Sequence, residues 1–118
     1  TVLAATDPAN PYGAALDWPA LEEASARPGR EAGAVVVLHN GDLVVYMERG
    51  GKTMLLFTAE EPLMDRAAAA LTKRLRAAGT PRLAVERVNG IAVLQHPFGD
   101  ALRRAGFDSS PSGLRFSG

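Results

Sequence analysis

An Asn-Gly pair between two runs of strand-forming residues constrains the fold of this chain more than any other feature. Asn40-Gly41 separates residues 34–38 from residues 43–47, and both runs consist mainly of valine and leucine. Because asparagine and glycine accept the positive φ angles of a two-residue turn, the runs are predicted to pair as antiparallel strands. A glycine-containing turn at residues 49–52 then precedes another apolar run at residues 53–57. The sequence therefore predicts a three-stranded antiparallel meander.

A second Asn-Gly pair predicts a second hairpin. Asn89-Gly90 lies between residues 83–88 and residues 91–94, which are again rich in apolar side chains. The short run at residues 114–116 predicts one more strand near the end of the chain. These segments bring the predicted number of strands to about six.

Two segments have the pattern of helices. After Pro62, which a first helical turn tolerates, apolar residues recur at four-residue spacing: Leu63, Ala67, Leu71 and Leu75. Gly79 is predicted to end this helix, because glycine is common just after a helical C-terminus. Residues 97–105 predict a second, shorter helix that ends before Gly106.

The length and the order of these elements indicate the fold class. A chain of 118 residues fits one domain with one core. Antiparallel hairpins combined with helices indicate an α+β domain. We predict a partly closed, barrel-like antiparallel sheet of about six strands with two helices, because closure would remove exposed strand edges. Residues 33–118 are assigned to this barrel-like domain, and residues 1–32, which hold four of the eight prolines, to a loop-rich connecting arm.

Composition excludes several function classes. The chain has no cysteine, so it has neither a disulfide framework nor a thiolate zinc site. Thirteen basic and thirteen acidic residues give no net charge, so any contact with nucleic acid must be a local patch. No apolar run approaches the roughly 18 residues of a membrane helix, and no membrane partner is expected. No leader pattern is present and the chain starts at Thr1, so we expect a fragment of a longer protein. The absence of cysteine favours a cytoplasmic location.

The segment at residues 5–13 is predicted to form an ordered loop. Pro8 and Pro11 fix their own φ angles and push the preceding residues toward extended geometry, which excludes a helix. Asp7 and Asn10 precede these prolines and have side chains that bond nearby backbone N–H groups.

Tyr12 and Trp18 are the aromatic residues of the arm. Each is predicted to anchor the arm by burying a large ring while its polar atom stays hydrogen-bonded.

One glycine turn imitates the end of a phosphate-binding loop. Gly50-Gly51-Lys52-Thr53 lacks the earlier glycine that such a loop requires, and it leads into a predicted strand. A hairpin turn is therefore predicted here. Arg49 and Lys52 flank the two glycines and are candidate contacts for a nucleic-acid backbone.

The remaining polar candidates are two histidines and two acids. His39 and His96 lack the spacing of metal ligands, so surface or capping roles are predicted and no metal site is expected. Asp7, in the rigid loop, and Asp108, near the end of the chain, are the candidate general bases.

Several long motifs carry a family resemblance that spans nearly the whole chain. The segment at residues 4–16, followed by Trp18-Pro19, closely resembles the start of the last domain of bacterial large helicase-related proteins, the Lhr family. The similarity continues through residues 30–38, 40–46, 48–51, 85–90, 101–107 and 113–115.

This resemblance implies a parent protein of several domains. The family's motor is a superfamily 2 helicase that moves 3′ to 5′ on single-stranded DNA and acts in DNA repair. ATP and Mg²⁺ belong to that absent motor, and no cofactor is expected in this chain. The resemblance also implies that the chain is a β-barrel-like terminal module after tandem winged-helix domains. Three kinds of partner are implied: those winged-helix domains, DNA or an RNA:DNA hybrid, and further copies of the protein in a homo-oligomer. Contact with the winged-helix domains would make Tyr12 and Trp18 interdomain anchors.

An enzymatic alternative comes from the same resemblance. The C-terminal architecture of the family is similar to that of winged-helix DNA glycosylases, which implies uracil-DNA glycosylase activity for this region. Asp7 or Asp108 would then be the acid that acts on a flipped base. The Gln-x-Gln motif of those glycosylases is missing, because Gln95 is the single glutamine.

Overall fold

The structure is a computed structural model that describes residues 1–21 and 27–117. In chain order its elements are β1 (Val2–Ala4), β2 (Val35–His39), β3 (Asp42–Met47), β4 (Thr53–Leu56), α1 (Glu61–Ala77), β5 (Arg82–Val85), β6 (Arg87–Val88), β7 (Ile91–Ala92), a 3₁₀ turn (Val93–Gln95), α2 (Pro97–Arg104), β8 (Asp108–Ser110) and β9 (Gly113–Ser117). The predicted α+β class with two helices is confirmed.

Both Asn-Gly pairs form the predicted hairpin turns. Asn40 and Gly41 have φ angles of 50° and 85°, and β2 pairs antiparallel with β3 on either side of them. Asn89 and Gly90 have φ angles of 52° and 78° between the antiparallel strands β6 and β7. These left-handed conformations are the ones that a two-residue hairpin turn requires.

The main sheet is open and mixed, which corrects the predicted antiparallel, partly closed barrel-like sheet. Its six strands lie in the order β1-β2-β3-β4-β6-β7, and β4 pairs parallel with β6. The connection through α1 explains this direction, because a helical crossover returns the chain parallel to the strand it left. A separate antiparallel sheet contains β5, β9 and β8 in that order.

The predicted strand at residues 83–88 divides between the two sheets. Leu83 and Val85 are buried in β5, and the next buried residue is Val88 in β6. Side chains of one strand alternate between faces, so this change in spacing marks a break at Glu86. The backbone N–H groups of Glu86 and Arg87 both donate to the carbonyl of Lys52, which turns the chain from one sheet to the other.

Helix α1 follows the predicted pattern and covers one face of the main sheet. Ala67, Leu71 and Leu75 are buried, and Leu63 is half-buried at the start of the helix. At its end, the N–H of Thr80 donates to the carbonyl of Leu75 and that of Gly79 to Arg76. This pair of bonds, with φ of 68° at Gly79, is the Schellman ending that a glycine stop predicts.

Strand β3 separates two apolar cores. Its residues from Leu43 to Met47 are all buried, because a layer covers each face of the sheet. A β-bulge leaves Val44 without a partner in β2, so Val44 and Val45 both point to the same core. That helix-side core joins the sheet to α1, α2 and the second sheet through residues that include Leu71, Val85, Phe98, Leu102, Leu114 and Phe116.

The second core, the arm-side core, lies under the N-terminal segment. It consists of Ala5, Tyr12, Ala34, Val36, Leu38, Leu43, Tyr46 and Leu55, with Leu3, Trp18, Leu21 and Phe57 packed against it. Strand β1, which lies in the predicted loop-rich connecting arm, pairs with β2 along the edge of the sheet. The segment from residue 1 to residue 21 is therefore a layer of this domain.

Candidate functional site

The loop at residues 5–13 is held by one buried amide. Asn10 is 1% exposed, and its Nδ2 donates to the carbonyl of Ala5 at 2.9 Å. Its Oδ1 accepts the backbone N–H of Tyr12 at 3.1 Å. The sequence predicted a local bond of this type for Asn10. In the structure the Asn10 side chain bonds both Ala5 and Tyr12 and so connects the two ends of the loop.

Arg30 closes the same loop from outside. Its Nη1 donates to the carbonyls of Asn10 and Tyr12 at 2.7 and 2.9 Å. Its Nη2 donates to the carbonyls of Asp7 and Thr6 at 3.1 and 3.4 Å. The planar guanidinium presents several donors at once, which is why it satisfies carbonyls that have no strand partner. Sequence reasoning missed this residue, since nothing in its local pattern points back to the loop.

Three aromatic rings attach the loop to the sheet. The Tyr12 and Trp18 rings stack with centroids 6.0 Å apart, and Trp18 meets Tyr46 edge-on at 5.5 Å. The Tyr12 hydroxyl donates to the carbonyl of Gly41 and accepts the N–H of Leu43, both at 3.1 Å. Tyr12 thus joins the arm to the first hairpin turn.

The Tyr46 hydroxyl makes a second connection beneath these rings. It donates to the carbonyl of Gly29 at 2.9 Å, and burial raises the pKa of this hydroxyl. A neutral phenol is therefore favoured here, and it serves as a donor to the backbone. Glycine is required at residue 13, since a Cβ there would lie 2.6 Å from Nε1 of Trp18.

The structure places Tyr12 and Trp18 on the sheet of their own domain. Tyr12 is buried, whereas Trp18 is half-buried and keeps part of its ring at the surface. The exposed Leu16 lies near them in sequence, 47% exposed. The surface around Trp18 and Leu16 is the part of the arm that another domain could contact.

Asp7 and Asp108 are not brought together. The Asp7 Oδ1 accepts the N–H of Ala9 at 2.8 Å, an ordinary loop bond. Asp108 is exposed at the start of β8, opposite Arg115 of β9. Surface cavities of about 160, 220 and 300 Å³ in the described part of the chain are lined by neither acid.

Arg49 and Lys52 flank the turn between β3 and β4. Both are exposed, and the Lys52 Nζ lies 4.0 Å from the Glu86 Oε2. Gly51 is buried in this turn with φ of 79°, and a Cβ there would lie 2.6 Å from the Leu83 side chain. The segment is a hairpin turn, as predicted, and it packs on β5 through Gly51. Both cations are exposed, and Lys52 lies beside one carboxylate.

His96 has a structural role at the start of α2. Its Nδ1 accepts the backbone N–H of Phe98 at 3.0 Å, which satisfies one of the free donors of the first turn. Burial lowers the pKa of His96, and this favours the neutral ring that the bond needs. The predicted capping role is confirmed for His96. Within residues 1–21 and 27–117, no three His, Asp or Glu side chains gather as a metal site would require.

No family model matches the chain. It is 52% identical over 121 residues to a protein of Mycolicibacterium smegmatis named "Lhr helicase/ probable uracil glycosylase". It is also 44% identical over 113 residues to "Lhr helicase/uracil glycosylase" of Escherichia coli K12. These alignments cover 97% and 95% of the chain but 8% and 7% of the two relatives.

The chain therefore spans less than a tenth of each of these relatives. In the described ranges, no helix has the length and hydropathy of a membrane span. The matches confirm the resemblance drawn from the motifs. With identities of this size over almost its whole length, the chain belongs to the Lhr helicase family, as a domain homologous to a small part of those proteins.

Proposed function

We propose that this chain is an accessory domain of an Lhr-type ATP-dependent 3′–5′ DNA helicase that acts in DNA repair. In this proposal the domain supports assembly of the whole protein and its engagement of nucleic acid, while ATP and Mg²⁺ bind to a motor elsewhere in that protein. The supporting observation is homology over nearly the full chain to a small segment of two proteins named helicases.

The most extensively hydrogen-bonded side chains of the domain support an accessory role. The polar atoms of Asn10, Arg30 and Tyr12 form hydrogen bonds with backbone groups of the arm and of the first hairpin. His96 caps a helix. A catalytic site would need polar groups that converge on one cavity, and these groups are used to hold the fold instead.

The preceding winged-helix domains are the partners that we propose for the arm. Trp18 keeps an exposed part, and Leu16 is 47% exposed on the same segment. A half-buried aromatic ring beside an exposed leucine gives a small apolar contact surface whose other side is already fixed to the domain. Tyr12 would stabilise this surface from below.

Both relatives also have uracil glycosylase in their names. For this chain the glycosylase alternative has less support, because Asp7 and Asp108 lie in different layers and Asp7 already accepts a loop N–H. We therefore expect Asp7→Asn and Asp108→Asn in the full-length protein to retain uracil excision from single-stranded DNA. Loss of excision in either variant, with folding intact, would favour the catalytic alternative.

A deletion in the full-length protein tests the accessory role. Removal of this domain should leave DNA-stimulated ATP hydrolysis measurable, because the motor lies elsewhere. It should lower either the molar mass seen by light scattering or the affinity for single-stranded DNA. An unchanged mass together with an unchanged affinity would refute the proposal.

A further inference from the structure

The zero net charge of this chain conceals a strong segregation of charge along the sequence. Residues 1–65 contain ten acidic and four basic side chains, whereas residues 66–118 contain three acidic and nine basic ones. The boundary falls within α1. Its first turns carry Glu61 and Asp65, and from residue 66 to residue 85 the sequence has five basic residues and no acidic one.

The fold turns this segregation into a difference between surfaces. The basic residues of α1 lie opposite its buried stripe, because positions three, four and seven apart share one face of a helix. Arg66, Lys73 and Arg76 are exposed on that outer face, and the exposed Ala69 lies between them. The residues of the buried stripe are Met64, Ala67, Ala68, Leu71, Thr72 and Leu75.

These three cations are available to a ligand, whereas their neighbours are engaged. Asp65 pairs with Arg104 of α2 at 2.7 Å, so the acid that precedes Arg66 in the sequence already has a cationic partner. Arg74 donates to the carbonyl of Val2 at 2.9 Å. Among the described residues, neither Arg66, Lys73 nor Arg76 forms an ion pair.

The spacing of the cations suits a linear polyanion. At about 1.5 Å rise per residue, Arg66 and Arg76 are about 15 Å apart along the helix axis. That length corresponds to about four nucleotides of a stacked strand at 3.4 Å each. Ala69, between the cations, has a short side chain, so a nucleic-acid backbone could approach the helix closely there.

We propose that the outer face of α1, through Arg66, Lys73 and Arg76, contacts the phosphate backbone of single-stranded DNA. This inference rests on the proposed function, and it names the surface through which the domain engages nucleic acid. Such contacts position a strand without reading its sequence, because phosphates are the same at every nucleotide.

Two observations favour a nucleic acid over an acidic protein. Protein interfaces draw most of their binding energy from buried aromatic and arginine anchors in pockets. The middle of this face has alanine between its cations and no aromatic side chain. A polyphosphate needs only positive charge along its length, and this face presents three cations between residues 66 and 76 of the helix.

Charge-neutral variants of the full-length protein test this surface. Arg66→Gln, Lys73→Gln and Arg76→Gln are combined, since glutamine is a good helix former. A matched control combines Arg27→Gln, Arg87→Gln and Arg115→Gln, three exposed arginines outside α1, and removes the same net charge. Binding of fluorescein-labelled oligo(dT) is followed by anisotropy between about 50 and 200 mM salt, a range over which phosphate binding weakens strongly. Circular dichroism and thermal unfolding confirm that each variant is folded.

The α1 variant should bind several-fold more weakly than wild type. The slope of log affinity against log salt should become shallower by about 2, because each phosphate neutralised on a single strand contributes about 0.7 to that slope. The control should match wild type in both respects. Equal effects in the two variants, or weaker binding in the control alone, would overturn the inference.

Two further outcomes separate this inference from the proposed function. If deletion of the domain weakens binding and the α1 variant does not, the inference fails while the accessory role stands. If the α1 variant changes the molar mass seen by light scattering but leaves oligo(dT) binding intact, the face is a protein interface and the inference is wrong.

Discussion

The two faces of the main sheet are covered by layers that are held in different ways. On the helix side, α1, α2 and the second sheet bury apolar side chains, and their backbone groups are satisfied within helices and strands. On the arm side, residues 5–21 contain no regular strand. Five carbonyls of this segment accept hydrogen bonds from the side chains of Asn10 and Arg30, and others accept backbone N–H groups in tight turns. Some of its N–H groups donate to side chains. An irregular segment therefore serves as a core layer here because a few polar side chains replace a hydrogen-bond ladder.

The layers also differ in what they offer at the surface. The arm layer belongs to the acidic part of the chain and presents Trp18 and Leu16. The outer face of α1 belongs to the basic part and presents three cations. This difference suggests a division of roles, in which one surface contacts neighbouring domains and the other contacts DNA.

The largest effect is expected from a cavity in the helix-side core. Phe98 is fully buried there, and Phe98→Ala should lower the free energy of unfolding by about 3–5 kcal/mol. Chemical unfolding monitored by circular dichroism measures the change. Leu94→Ala is the control, because Leu94 is 47% exposed and should cost less than about 1 kcal/mol. Similar losses in both variants would show that the helix-side core does not dominate stability.

An intermediate and more local effect is expected on the arm side. Arg30→Ala removes the donor to the carbonyls of Asn10 and Tyr12 and should destabilise the arm by about 2 kcal/mol. Hydrogen exchange should accelerate at residues 5–16 while the amides of α1 stay protected. Arg30→Lys should rescue poorly, because an ammonium cannot match the planar fork.

Arg27→Ala is the matched control for the arm, since Arg27 is exposed and close in sequence. It should leave exchange unchanged. If Arg30→Ala also leaves the arm protected, the aromatic rings rather than the guanidinium hold this layer.

The smallest effect concerns pH and the start of α2. Burial lowers the pKa of His96 below its usual 6.5, so the folded state binds this proton less well than the unfolded state. The stabilisation is complete above pH 6.5 and is lost as the pH falls through the lowered pKa. Thermal unfolding between about pH 7.5 and 5 should show this loss. His96→Asn, which keeps a capping oxygen, should flatten the dependence in that window, and an unchanged slope would assign it to other groups.

Local signals made most of the fold predictable. The Asn-Gly pairs, the four-residue spacing after Pro62 and the stop at Gly79 each depend on nearby residues, and the structure confirms them. The sheet order depends on where distant strands meet. The parallel pairing of β4 with β6 was therefore not predicted. The changed spacing of the buried residues around Glu86 does indicate that the strand breaks there.

The functional surfaces were less predictable, for physical reasons. Arg30 donates to loop carbonyls that lie 18 to 24 residues away in sequence, and no local sequence pattern predicts such contacts. The balanced total of charges predicted that any nucleic-acid contact must be a local patch but did not locate it, whereas the position of each charge along the chain contained the relevant asymmetry. The nucleic-acid roles predicted for Arg49 and Lys52 remain a prediction.

Site-specific photocrosslinking in the full-length protein tests the proposed division of roles most directly. A benzophenone amino acid replaces Ala69, on the outer face of α1, or Ala14, on the exposed arm, and each protein is irradiated with labelled oligo(dT). The account predicts a crosslink to DNA from position 69 and none above background from position 14. A crosslink from position 14 alone, or from neither position, would contradict it.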